Sequence, residues 1–120
     1  MGRILHLVQA DYYAALPSGV PYRPHGFDRD GFIHCTQGGE TLLRVANAHY
    51  GQKAGEFIVL IIDESRVAAP VKYERPEPAD DWPILFPHVY GPLNRDAIVD
   101  VARAQRANDG RFIGFDRALD

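Results

Sequence analysis

Short apolar runs alternate with stretches of proline, glycine and charge along the chain. "RILHLV" (3–8) is apolar and bounded, and predicts a strand. "QADYYAALP" (9–17) has Ala and Leu at a spacing that predicts a short helix, stopped by Pro17, whose ring cannot continue one. "SGVPYRPHGFDRD" (18–30) predicts a loop, and a loop of this length in a compact domain is more often functional than decorative. "GFIHCT" (31–36) predicts a second strand. "GGETLLRVANAHYG" (38–51) predicts a helix with Leu42, Leu43, Ala46 and Tyr50 on one apolar face and Gly51 at its end. "EFIVLIID" (56–63) is apolar on both faces, which predicts a strand in the interior of a sheet. "VKYE" (71–74) predicts a shorter strand, and "RPEPADDWP" (75–83) no regular structure. "LFPHVYGPL" (85–93) predicts a strand whose prolines fall at an edge, a bulge or the strand ends.

"NRDAIVDVARAQRANDG" (94–110) predicts a second main helix. Asn94 is its N-cap, Asp96 lies in its first turn, Ala97, Ile98, Val101 and Ala102 form its buried stripe, and Gly110 stops it. "RFIGF" (111–115) predicts a last strand. No repeat or linker divides the chain, so residues 1–120 are expected to form one domain. The mixed order, with loops too irregular for a doubly wound fold, predicts the α+β class.

Composition narrows the function classes. The 120 residues suit one domain with one core. Hydrophobic residues at 46% and charged residues at 24% match an ordinary globular protein and argue against disorder. A net charge of -3 leaves no global basic footprint for nucleic acid or an anionic membrane. A local basic patch or an RNA end is what remains of a nucleic-acid partner. The single cysteine, Cys35, excludes an internal disulfide. No apolar run approaches the roughly 20 residues of a membrane span. "MGRILHLVQADYY" reaches acidic and aromatic residues too soon for a signal peptide, and His6 stands where a myristoylation pattern needs Ser or Thr. The expectation is a cytoplasmic protein with a small-molecule partner.

Three of the apolar strands each carry one histidine. Strand side chains alternate faces. Ile4, His6 and Val8 share one face of the first strand. Phe32, His34 and Thr36 share one face of the second, with Ile33 and Cys35 on the other. His88 and Tyr90 point the same way. Each strand thus presents one imidazole and buries its back, as strands lining a cleft do. The plainer alternative, for each histidine alone, is a strand imidazole satisfied by a local hydrogen bond. His25 in the loop and His49 late in a helix are expected to be structural or solvated. A metal site has little support: no two histidines stand at i, i+4, and no second cysteine is present. Cys35 faces the core, where thiols are inert. Tyr50 and Tyr90 are either core aromatics or rings that stack on a ligand. Arg23 and Arg29, flanking "GFIHCT", are either solvated charges or a clamp on phosphate.

With "DGFIHCT", "VANAHYG", "FIVLIID" and "FPHVYGPL" in this order, nearly the whole chain resembles a bacterial family described as domain of unknown function 952. That family in turn is similar to the ADP-ribosyltransferase fold, including the RNA 2'-phosphotransferases. The resemblance implies split small sheets flanked by two main helices, and NAD, or an ADP-ribosylated or 2'-phosphorylated nucleotide, as cofactor or substrate; no metal is expected, on the histidine spacing and single cysteine above. It implies that His6 holds a ribose hydroxyl, that Tyr50 and Tyr90 stack on or orient the base, and that Arg23 or Arg29 neutralises the diphosphate. His34 and His88 would position the ribose or phosphate and move protons, with Thr36 among the binding residues. His88 falls near the position where many transferases carry a glutamate, a departure that removes a fixed negative charge; Glu74 in "VKYE" is the nearest replacement. Three classes of function follow: an ADP-ribosyltransferase-like enzyme, a non-catalytic nucleotide sensor, and a histidine-based metal-dependent hydrolase.

Overall fold

The structure, a computed structural model, describes residues 2–76 and 83–119. Two antiparallel sheets and one main helix make three layers. The larger sheet runs in the order β1 (Arg3–Gln9), β3 (Phe57–Asp63), β6 (Ile98–Arg106), β7 (Phe112–Phe115). The smaller has β2 (Ile33–His34) and β4 (Val71–Glu74) on either side of β5 (Phe86–Val89). Helix α3 (Gly39–His49) covers one face of the larger sheet, where Leu42 and Ala46 pack against Leu5, Leu7, Val59, Ile61 and Ala102. The smaller sheet covers the other face, where Ile33, Cys35 and Val89 meet Ile4, Val8, Leu60 and Ile62. A strand with apolar side chains on both faces must be covered on both, and β3 lies between β1 and β6 as its pattern requires. Short α1 (Ala10–Ala15) ends before Pro17.

The expected second main helix is instead β6, joined to β7 by a hairpin. Only Arg95–Ala97 form a helical turn, of the 3-10 type. Asn94 does not cap a helix through its side chain: Oδ1 accepts the Ala68 N–H at 2.9 Å and Nδ2 donates to the Arg66 carbonyl at 2.9 Å, tying two loops. Helix propensity lost to pairing, because β3 needs a partner along its second edge. The alanines serve the sheet: Ala102 and Ala104 are small enough for the apolar groups around α3 to lie close over this face. Gly110, at φ 93°, turns the hairpin rather than ending a helix. α3 is therefore the one long helix among the described residues, and two flanking main helices are not formed.

Proline placement also differs from expectation. β5 is the central strand of its sheet, yet it contains Pro87. The Cys35 N–H donates to the Pro87 carbonyl at 3.0 Å, so the missing Pro87 donor faces the place where the two-residue ladder with β2 has already ended. The expected loop 18–30 contains one helical turn, α2 (Phe27–Asp30), and a fully buried tyrosine, Tyr22, paired through its backbone with Leu93. Within the proline-rich stretch 75–83, residues 77–82 lie outside the described residues. Among the described residues no helix is long and apolar enough to cross a membrane.

Candidate functional site

β1 is an edge strand of the larger sheet. Beyond its single bridge from Leu5 to Thr36, its outer edge meets the smaller sheet and the end of α3, and a cleft opens at this seam. Two of the three strand histidines meet there. His34 of β2 and His88 of β5 are direct register partners, so their side chains leave the sheet on one face. Their ring centres lie 5.5 Å apart, edge to face. Ile33 and Val89, one residue away on each strand, point into the core and hold the pair in place.

Each of these imidazoles is anchored on a carboxylate. The His88 Nδ1–H donates to Glu74 Oε1 at 2.7 Å, and the Tyr90 hydroxyl donates to the same oxygen at 2.6 Å. Phe32 stacks on the buried His88 ring at 4.1 Å. The anchored nitrogen sets the tautomer and leaves Nε2 as the one that can act on a ligand. The Tyr90 hydroxyl, with His88 beside it, holds the Glu74 carboxyl below the usual carboxylate range. His34 is half-exposed and donates from Nε2 to Asp30 Oδ2 at 3.1 Å, which leaves Nδ1. The Arg29 guanidinium, and His34 after it, keep Asp30 low, whereas burial outweighs Asp30 and pulls the His34 pKa down. α2 brings Asp30 into position: Gly31, at φ 80°, closes that turn in a conformation few side chains tolerate and swings the chain back into β2.

His6 is bound differently. Its Nδ1 lies 2.7 Å from the His34 carbonyl, an acceptor only, so Nδ1 carries the proton. Nε2 must then accept the Tyr22 hydroxyl, also 2.7 Å away. Burial pushes the His6 pKa down to about 4, which keeps the ring neutral and suits both bonds. Both ring nitrogens are occupied by protein, so a ribose hydroxyl would have to displace Tyr22.

The cleft has two lobes, of about 330 and about 510 Å³, that share Arg29, Asp30, His34, Tyr50 and Lys53. The smaller adds His88 and Thr36, with His49 on its wall. The larger runs along His6–Gln9 to Tyr12, Tyr22 and His25. Tyr50, half-buried against Phe57, stands at the junction, with the Lys53 ammonium 6.0 Å from its ring centre. The structure thus brings His34, His88, Glu74, Tyr50, Arg29 and Thr36 to one region. Arg23 is not brought there: it pairs with Asp28, lies over Phe27 and lines a separate surface groove with Val20 and Pro21. Tyr90 holds Glu74 with its hydroxyl while its ring meets Phe32 and the Lys72 ammonium. Cys35 is buried as expected, and burial pushes its thiol pKa up. Among the described residues no three His, Cys, Asp or Glu side chains are grouped to hold a metal ion.

Asp30, Tyr22 and Lys53 belong to this region and are not singled out by the sequence, which places Phe32 on the His34 face without giving it a role. Tyr22 had one signal, an aromatic between two prolines in an otherwise polar loop. Asp30 had none, because its reach to His34 depends on α2.

No curated protein matches the chain. Two crystal structures of protein CC0527 from Caulobacter crescentus, one of them a double mutant, are similar to it at 20% identity. Their TM-scores are 0.75 and 0.74, covering 92% of this chain and 93% of that one, a likeness that extends to the fold. Residues 7–101, which span the seam and both histidines of the facing pair, match one family model. The chain belongs to the family described as protein of unknown function (DUF952).

Proposed function

We propose that the cleft binds NAD, or an ADP-ribosyl or 2'-phosphoryl nucleotide, and that the protein is an ADP-ribosyltransferase-like enzyme acting on the ribose. One observation carries this: two imidazoles face each other in a cleft, each anchored on a carboxylate and each with one nitrogen left for a ligand. Groups so placed can take a proton from a bound ligand or give one to it. Tyr50 offers a ring for the base, and Arg29 and Lys53 offer charge for phosphate. Glu74 acts through His88 rather than on the ribose directly.

Calorimetry with NAD, ADP-ribose and a 2'-phosphorylated ribonucleotide, wild type beside His34→Ala, tests the reading. Binding lost in the variant, with nicotinamide or phosphate released over time, supports the enzyme. No binding of any of the three ends it. A second reading, a nucleotide sensor without turnover, is favoured by the commitment of Glu74: its Oε1 is taken by both His88 and Tyr90, so it is poorly placed to stabilise an oxocarbenium-like ribose. Tight binding with no released product selects the sensor.

A further inference from the structure

The acid–base pair suits a second reaction that needs no nicotinamide. We propose that His34 and His88 hydrolyse a strained phosphodiester of a mononucleotide, of which a ribonucleoside 2',3'-cyclic phosphate is the type. The proposal rests on the nucleotide-binding reading of the cleft but not on NAD as its ligand.

The two rings are in edge-to-face contact with centres 5.5 Å apart, close enough for one phosphoryl group seated in the cleft across both to form a hydrogen bond with each ring. His34 stands half-exposed at the mouth, where water reaches it, and its Nδ1 is the base. His88 lies buried behind it, stacked by Phe32 and with its Nδ1–H on Glu74; the doubly protonated ring is the acid and gives the proton on Nε2. A water oxygen bonds to phosphorus and gives its proton to His34. The bond from phosphorus to one ribose oxygen breaks, and His88 protonates that oxygen. The product is a nucleoside 2'- or 3'-monophosphate. The proton taken up by His34 and the one given by His88 exchange with solvent, so no oxidant or further co-reactant is consumed.

The ligand class follows from the rest of the cleft. Arg29 and Lys53 line both lobes and can neutralise the non-bridging oxygens. Two imidazoles and two cations form a modest catalytic set, which suits an ester whose ring strain already supplies part of the barrier. Both lobes fall within the size range of small-molecule sites, with Tyr50 between them as a stacking wall for the base. The net charge of -3 does not favour a long nucleic acid strand, so the ligand is a mononucleotide.

The test is incubation of the purified chain with adenosine 2',3'-cyclic phosphate, followed by phosphorus NMR. The expected result is conversion to a monophosphate, with at least a roughly 100-fold loss of rate in each of His34→Gln and His88→Gln. Circular dichroism checks that both variants fold, and the half-exposed His34 makes its variant the safer of the two. No conversion by folded wild type, or a rate that both variants retain, overturns the proposal. NAD is assayed in parallel for binding and nicotinamide release. Conversion without NAD binding leaves hydrolysis standing and removes transfer, and NAD turnover without conversion does the reverse.

Discussion

His6 and His88 are almost equally buried, at 6% and 4% exposure, and both sit on apolar strands. They are built for opposite ends. His6 gives Nδ1 to a backbone carbonyl and Nε2 to a tyrosine hydroxyl, so its bonding capacity is spent inside the protein. His88 gives one nitrogen to Glu74 and turns into a cleft. Burial does not separate an imidazole whose nitrogens are both bonded within the fold from one with a nitrogen left over; what each ring nitrogen meets does. His6 ties β1 to the His34 backbone and to the loop that carries Tyr22, while the facing pair is mounted on that frame.

The contrast breaks most visibly at His6. His6→Ala leaves the Tyr22 hydroxyl and the His34 carbonyl without their partner and opens a cavity, at a cost of about 4 kcal/mol. Urea melts measure this, and an unchanged midpoint would show that His6 is not a strut. Acidification acts on the same bond. With a native pKa of about 4 against 6.5 unfolded, the unfolded chain takes up the proton first between those values. Stability is therefore unaffected by His6 above pH 6.5 and falls as pH drops toward 4, by roughly 3 kcal/mol at most. Asp30 and Glu74, both held low, add loss of the same sign at lower pH. The difference between wild type and His6→Gln across pH 7, 5 and 4 isolates the histidine; parallel curves would refute its neutral burial.

The facing pair should behave in the reverse manner. His34→Ala is expected to change stability by less than about 0.5 kcal/mol, as for an ordinary half-exposed position. Nucleotide binding should weaken at least tenfold by calorimetry. A large stability loss with binding intact would make His34 another strut. Tyr90→Phe removes one of two donors from Glu74 Oε1 and should lower turnover of whichever nucleotide is accepted by roughly tenfold, through the orientation of His88. Its KM should stay near wild type, whereas a merely structural defect would show first in the melting curve. The smallest effect belongs to Arg23→Ala, at a residue outside the cleft. Unchanged affinity is expected, and a clear loss would extend the site to the groove that Arg23 lines.

Much of this is legible in the amino-acid sequence. Alternation in "RILHLV" and "GFIHCT" correctly put Ile4, His6 and Val8 on one face and turned Ile33 and Cys35 inward. "EFIVLIID" was readable as an interior strand, and α3 as a helix with Leu42 and Ala46 inward. The failure at 94–110 has a physical cause. "VDVARAQR" is compatible with either period, and its caps looked helical. The decisive term was the open edge of β3, which lies some forty residues away. "NDG" ahead of "RFIGF" is a hairpin signal, and Gly110 there turns β6 into β7 where the helical reading has it end a helix.

The sequence by itself determined which side chains share a strand face, because alternation is a local consequence of the extended backbone. It also marked where α1 must end, through Pro17, and that one thiol is buried rather than bridged. Tertiary structure alone decided that His34 faces His88, that Asp30 and Glu74 each hold one of them, and that Tyr22 closes off His6. Those outcomes depend on register between strands more than fifty residues apart and on a loop folding back over its neighbour. Side-chain pattern records the face a residue takes; only strand pairing supplies the residue opposite, and the residue opposite sets the role of each imidazole.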